Sequence, residues 1–237
     1  TSGTSIKLAA GLDVNLLPSS TATSGGFLNQ AAAGAAVLSV QPGAIWQLFT
    51  VDPIASPALD LGGLPYAFKQ YGKTPLDSVS VAGSGNGLFY AFTPSLSVAL
   101  VSGSSTSAAP VHKTYDGTTA ATLQPGNYNL SGVLNGDTVF LNQPTAGSYD
   151  SPDAGTGKLV SVSGVAVTAA QETASGKPIF GYSLPLGTIA SGAIGTIAQA
   201  PLTVTANSGS SVYSGAQQGI SGFQVSGLLG ADTAATA

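Results

Sequence analysis

Glycine and proline interrupt this chain so often that long helices are closed to it. There are 32 glycines and 14 prolines among 237 residues, and few windows leave three helical turns free of both. In a helix interior glycine costs about 1 kcal/mol and proline about 3 kcal/mol relative to alanine, and proline also removes a backbone donor. What remains open is order by lateral pairing of short extended segments. The runs between the breakers fit that reading. Lys158–Thr168 alternates apolar and polar residues, Pro201–Ala206 does the same, and Phe180–Leu184 puts its larger side chains on one face. A period of two marks a half-buried strand, and the flanking Gly, Pro and Asn are the punctuation of a multi-stranded β domain.

The surface of such a domain is unusual here. Charged residues are 7% of the chain, against roughly 25% in an average soluble protein, while the hydrophobic fraction of 43% is enough to build a core. Ser, Thr, Gly, Ala and Asn take the place of the charges, which weakens the repulsion that keeps proteins apart. With no cysteine, disulfides and cysteine metal sites are excluded. Six lysines face ten acids, arginine is missing and the net charge is −4. Nucleic acid needs a basic face that this chain lacks, and an anionic membrane surface is disfavoured for the same reason. No apolar run reaches the roughly 20 residues of a membrane span; Ala31–Val40 is rich in small residues and broken by Gly34. Thr1-Ser-Gly-Thr and Gly230–Ala237 both read as interior sequence, so we expect a piece of a longer protein.

A repeat runs through the second half. Tyr115 aligns with Tyr213, Ser131-Gly132-Val133-Leu134 with Ser226-Gly227-Leu228-Leu229, and Asp137-Thr138 with Asp232-Thr233, at offsets of 95 to 98 residues. That spacing is the size of an Ig-like sandwich. The second copy holds about half the strands a sandwich needs and cannot close a core alone. The first half differs. Ser5–Ala9, Gly11–Leu16, Ala36–Val40 and Ile45–Phe49 are brief alternating strands with Gly, Asn and Ser corners, as stacked parallel rungs show. The expected order is therefore β-helical rungs over 1–50, a loop-rich cap over 51–92, a linker over 93–109, an Ig-like β-sandwich over 110–200 and an incomplete second repeat over 201–237.

Specific motifs sharpen this. Lys113–Thr119 (KTYDGTT), Leu130–Val139 (LSGVLNGDTV), Tyr149–Gly164 and Phe180–Leu184 (FGYSL) together resemble a YDG repeat of filamentous-haemagglutinin-like proteins exported by two-partner secretion. Pro201–Thr233 resembles the start of the related bacterial Ig-like repeats. Gly62–Tyr71 and Gly83–Phe92 are similar to the junction where the β-helical shaft of such proteins ends. The resemblance implies a right-handed parallel β-helix terminus with its cap, then sandwich repeats, on the surface of a Gram-negative bacterium. It implies adhesion, aggregation or biofilm matrix assembly in an extracellular filament, and brings no catalytic residues with it.

No constellation of reactive residues competes with that. His112 is the only histidine, so no histidine pair can hold a metal, and we read it as an exposed or half-packed strand residue. A Ser-His-Asp triad would need it, yet the chain has no Gly-x-Ser-x-Gly elbow. Gly83-Ser-Gly-Asn-Gly87 lacks the following helix and lysine of a phosphate loop and reads as a tight turn. Tyr115-Asp116-Gly117 reads as a turn, with Asp116 bonding the backbone ahead and Gly117 at positive φ; Asp137 reads the same way. Tyr149-Asp150-Ser-Pro-Asp153 with Asp137 could offer oxygen ligands to calcium, though no calcium-loop pattern is present. Lys113 or Lys158 could join an asparagine in an internal cross-link if a buried acid stood beside the pair. The single glutamate, Glu172, falls in a turn-like segment, Gln171–Gly176, without the second carboxylate a glycosidase requires.

Trp46, Phe49, Tyr66, Phe68 and Tyr71 form the densest aromatic group. Core packing is its default use, and a carbohydrate platform is the sharper one. We therefore expect a structural and adhesive segment, not an enzyme, with no cofactor, metal or catalytic site. Its expected partners are sister molecules in a fibre or matrix, or surface glycans and proteins, with strand addition at residues 201–237. The second reading is a glycan-binding module that uses the aromatic group from Trp46 to Tyr71.

Overall fold

The computed structural model describes the backbone of residues 5–9 and the residues 44–53, 61, 64–77, 82–103, 110–219 and 221–234. It is all-β, 43% strand and 2% helical, as the density of breakers requires. The strands are β1 (Ser5–Ala9), β2 (Ile45–Thr50), β3 (Phe68–Tyr71), β4 (Gly87–Tyr90), β5 (Ser97–Leu100) and β6 (Val111–Thr114). They continue with β7 (Ala120–Thr122), β8 (Tyr128–Ser131), β9 (Asp137–Leu141), β10 (Ala146–Tyr149) and β11 (Gly155–Ser163). The last are β12 (Val167–Glu172), β13 (Ile179–Phe180), β14 (Ile189–Ala198), β15 (Thr203–Ala206) and β16 (Phe223–Ser226).

The chain divides into two compact units that interleave along the sequence. The first takes the described residues of Thr1–Ser97 with Leu130–Asn142 and Ala166–Leu186. It holds a five-stranded sheet in the order β1-β2-β4-β3-β13, with every neighbouring pair parallel. Alternation divides the side chains between its two faces. Trp46, Leu48, Tyr71, Leu88 and Tyr90 join one apolar cluster with Ile179 and Tyr182, while Phe49, Phe68 and Phe89 form another. Phe89 is the hub of the second: its ring stacks on Phe49 at 4.6 Å and meets Phe68 edge-on at 5.5 Å. Both faces are thus covered, the usual condition of a parallel sheet. The same unit contains an antiparallel pair, β9 with β12, whose register sets Val139 against Ala170 and Asp137 against Glu172.

The second unit takes Val98–Asn129, Gln143–Val165 and the described residues of Gly187–Ala237. Its main sheet runs β6-β14-β11-β10-β7, with β6 parallel to β14 and the other pairs antiparallel. Val111, Tyr149, Val160, Val162, Ala190 and Ile197 are buried here. β15 and β16 form a separate antiparallel pair.

The expected strands at Ser5–Ala9 and Ile45–Phe49 are β1 and β2, in parallel register; those expected at Gly11–Leu16 and Ala36–Val40 lie outside the described residues. Two expectations need correcting. Lys158–Thr168 is not one strand: β11 stops at Ser163, Gly164 turns the chain at φ 77°, and β12 starts at Val167. Phe180–Leu184 contributes only its first residue to a strand, because Gly181 at φ 97° ends β13. The stretch read as a linker also contains β5.

Candidate functional site

The turn that opens the Tyr-Asp-Gly motif is built as its residues suggest. Gly117 takes φ 74°, and Asp116 Oδ1 accepts hydrogen bonds from the Thr118 amide and the Thr118 hydroxyl, both at 2.9 Å. Lys113 Nζ completes the turn at 2.7 Å from the same oxygen. The lysine bond, then the Thr118 donors, hold the Asp116 carboxyl down at about 2. Residues 102–174 match the YDG domain. That span is a YDG domain. No curated protein and no solved structure matches the chain.

Among the described residues, the most chemically crowded place gathers two carboxylates of the YDG domain with residues on either side of it in sequence. Asp137 opens β9 just after a Leu134–Asp137 turn, closed by the Asp137 amide donating to the Leu134 carbonyl at 3.1 Å. Its side chain is not used in that turn. It is 2% exposed, and its Oδ2 accepts the hydroxyls of Tyr71 at 2.7 Å and Tyr182 at 2.8 Å. Glu172 ends β12 directly opposite. Its Oε1 accepts the Tyr66 hydroxyl and its Oε2 the Ser175 hydroxyl, both at 2.5 Å. Lys69 of β3 joins the two acids, with Nζ 2.5 Å from Glu172 Oε1 and 3.9 Å from Asp137 Oδ1.

The electrostatics follow from this packing. Burial pushes Glu172 up, but donation from Lys69, Ser175 and Tyr66 outweighs it and holds the carboxyl below its ordinary value. Burial, and then the bonded carboxylate, raises the Tyr66 and Tyr71 hydroxyls. Tyr182 is raised mainly by burial, and Tyr90 by burial with Glu172 and Asp137 nearby. Tyr66, Tyr71 and Tyr182 therefore keep the protons they donate to the two carboxylates. Lys177 lies 3.9 Å from the centre of the Tyr66 ring and closes that side by a cation–π contact.

Other candidates fall elsewhere. His112 is exposed on β6 with Nδ1 at 2.9 Å from the Pro110 carbonyl oxygen. Lys113 is engaged by Asp116 and Thr118, and Lys158 by Ser151 at 2.8 Å and Asp150 at 3.5 Å. Asp150 and Asp153 turn to Ser151. Among the described residues no three His, Cys, Asp or Glu side chains meet as a metal would require. In the Gly83–Gly87 turn the glycines make room: a Cβ on Gly83 or Gly87 would lie 2.4 Å from the Phe68 ring. Trp46, Phe49, Phe68 and Tyr71 are at most 3% exposed, so they present no flat face to a sugar. Tyr66, the fifth of the group, is half-buried.

Two readings of acids also change. Glu172 belongs to a strand end rather than to the turn that follows, and it does have a second carboxylate facing it. Sequence reasoning missed this because the pairing of β9 with β12 brings together residues 35 positions apart. It also missed Lys69 and Tyr182. One signal was present: Lys69-Gln70-Tyr71 and Lys113-Thr114-Tyr115 share a Lys-x-Tyr spacing. Each tyrosine donates to an aspartate of the repeat, Tyr71 to Asp137 and Tyr115 to Asp232.

Proposed function

We propose that the chain is a load-bearing, adhesive segment of a large extracellular bacterial protein, and that its chemistry serves cohesion rather than catalysis. The observation that carries this is a structural recurrence. β8 and β16 end at equivalent Ser-Gly steps, with Gly132 at φ 87° and Gly227 at φ 98°. Each is followed by the same turn, Asp137 bonding Leu134 at 3.1 Å and Asp232 bonding Leu229 at 3.2 Å. Each aspartate then accepts a tyrosine hydroxyl from an earlier Lys-x-Tyr. A unit that repeats and docks by one rule is suited to linear arrays that transmit force.

The finer reading is that of a filamentous-haemagglutinin-like adhesin of a Gram-negative bacterium, exported by two-partner secretion. In it the parallel sheet is the terminal part of a β-helix, and the YDG region is an Ig-like sandwich. The YDG domain and the low charge support it. Among the described residues β15 pairs with β16 alone, which leaves edges for strand addition by a sister molecule. Val204 and Phe223 on this pair are exposed.

Latex beads coated with the protein test the function. Clumping of the beads, or their retention on surfaces coated with matrix protein or glycan, is expected. Beads that stay dispersed and wash off every such surface would remove the adhesive reading.

A further inference from the structure

The arrangement around Lys69 has more in it than an ion pair needs. The amine stands between two carboxylates that are differently prepared. Asp137 has one oxygen, Oδ2, held by two tyrosine hydroxyls, while its other oxygen, Oδ1, is the one 3.9 Å from Nζ. Two fixed donors on one carboxyl oxygen are what stabilises charge developing there when the carbon is attacked. Glu172 touches the amine itself at 2.5 Å and is placed to take and return protons. The side chains are 19%, 2% and 11% exposed for Lys69, Asp137 and Glu172, so competing water is largely excluded. Reacting groups held in this way react as if at very high concentration, provided they close to about 3–3.5 Å. The remaining gap is within the reach of a lysine side chain.

We propose that Lys69 and Asp137 condense to an internal amide, with Glu172 as the proton carrier. The bond formed joins Lys69 Nζ to Asp137 Cγ, and the bond broken joins Cγ to Oδ1. Of the three ammonium protons one stays on nitrogen. The other two pass through Glu172 to Oδ1, which leaves as water, and Glu172 returns to its starting state. No oxidant or other reactant is needed. Two opposite charges disappear into a neutral amide, which relieves the desolvation cost of a buried ion pair. The new N–H faces Glu172, and the new carbonyl oxygen keeps Tyr71 and Tyr182. The amide would lock β3 of the parallel sheet to β9 of the YDG domain. In the other Lys-x-Tyr, Lys113 is turned to Asp116 and Thr118, so it does not repeat the Lys69 arrangement. It does not depend on the adhesive reading.

Intact-mass measurement of the denatured wild-type chain decides. The expected result is one water less than the sequence mass of 23.1 kDa, with a protease digest giving a branched peptide that joins Lys69 to Asp137. Lys69→Arg and Glu172→Gln, checked for folding by circular dichroism, are expected to return the full mass. A wild-type chain at full sequence mass, with both residues in linear peptides, overturns the proposal without recourse to any variant. A water loss mapped to a peptide lacking Lys69 overturns it equally.

Discussion

The Tyr115 hydroxyl donates to Asp232 Oδ1 at 2.8 Å across 117 residues of sequence. Nearby, a Cβ on Gly117 would lie 2.9 Å from the Gly230 Cα, so backbone meets backbone at the same point. Asp232 follows β16 as Asp137 follows β8, and the tyrosine acceptor is used in the same sense both times. Removing this bond should therefore loosen the second repeat before anything else. Tyr115→Phe and Asp232→Ala are each expected to speed amide exchange in Phe223–Ser226, with β14, inside the main sheet, unchanged. Hydrogen exchange with mass readout checks it. Equal acceleration in both places would mean that the bond holds the unit as a whole.

The YDG turn should be robust to acid. Asp116 is held at about 2, first by Lys113 and then by Thr118, below the ordinary aspartate value of 3.8. A depressed carboxyl contributes stability that is present above its unfolded value and is lost as pH falls through its folded value. The turn is thus expected to persist through pH 3.8 and to open near pH 2. The Thr118 amide shift, followed by NMR, should titrate at that lower point, and Lys113→Met should move the midpoint upward. A midpoint at the ordinary aspartate value in the wild type would contradict the bond.

Gly195 tests the packing of the second unit. A Cβ there would lie 2.4 Å from a Tyr149 ring carbon and 2.8 Å from Val160 Cγ2, and both neighbours are buried. Overpacking of this kind costs about 1–3 kcal/mol. Gly195→Ala is expected to lower the urea midpoint accordingly. Gly155 on β11 meets nothing within 4 Å, and Gly155→Ala should be nearly silent. Equal effects would show that strand propensity, not the tyrosine, sets the cost.

How much of this was legible in the sequence depends on the range of the interaction. Local rules placed β1, β2 and β15, the Tyr115–Gly117 turn and the exposed His112, because breakers and alternation act over a few residues. Where local pattern misled, a single glycine was responsible: Gly164 and Gly181 turn the chain at positive φ inside runs that alternate like strands. The site was hidden for another reason. Asp137 and Glu172 become partners only through the register of β9 with β12, and Lys69 reaches them from a parallel sheet far upstream. Nothing in the local sequence of any one of the three announces the other two. The repeat of Lys-x-Tyr and of Leu-x-x-Asp was visible, but its meaning needed the hydrogen bonds.

The two donors on Asp137 Oδ2 make the last prediction. Tyr71 at the end of β3 and Tyr182 in the segment after β13 converge on one oxygen, and their rings meet edge-on at 5.3 Å. Either hydroxyl alone still satisfies the oxygen, so Tyr71→Phe or Tyr182→Phe leaves a partner in place and keeps the ring in the core. Made in a Lys69→Arg background, where Asp137 remains a carboxylate, each is expected to cost about 1.5–3 kcal/mol, the range for bonds to a charged group. With both removed, a side chain that is 2% exposed has an oxygen with neither donor, and the penalty for an unsatisfied buried group appears in full. The double variant should therefore lose more than the sum of the single losses, which a double-mutant cycle on urea unfolding measures directly. Strict additivity would mean that water replaces the hydroxyls freely and that the pocket around Asp137 is wetter than its burial indicates.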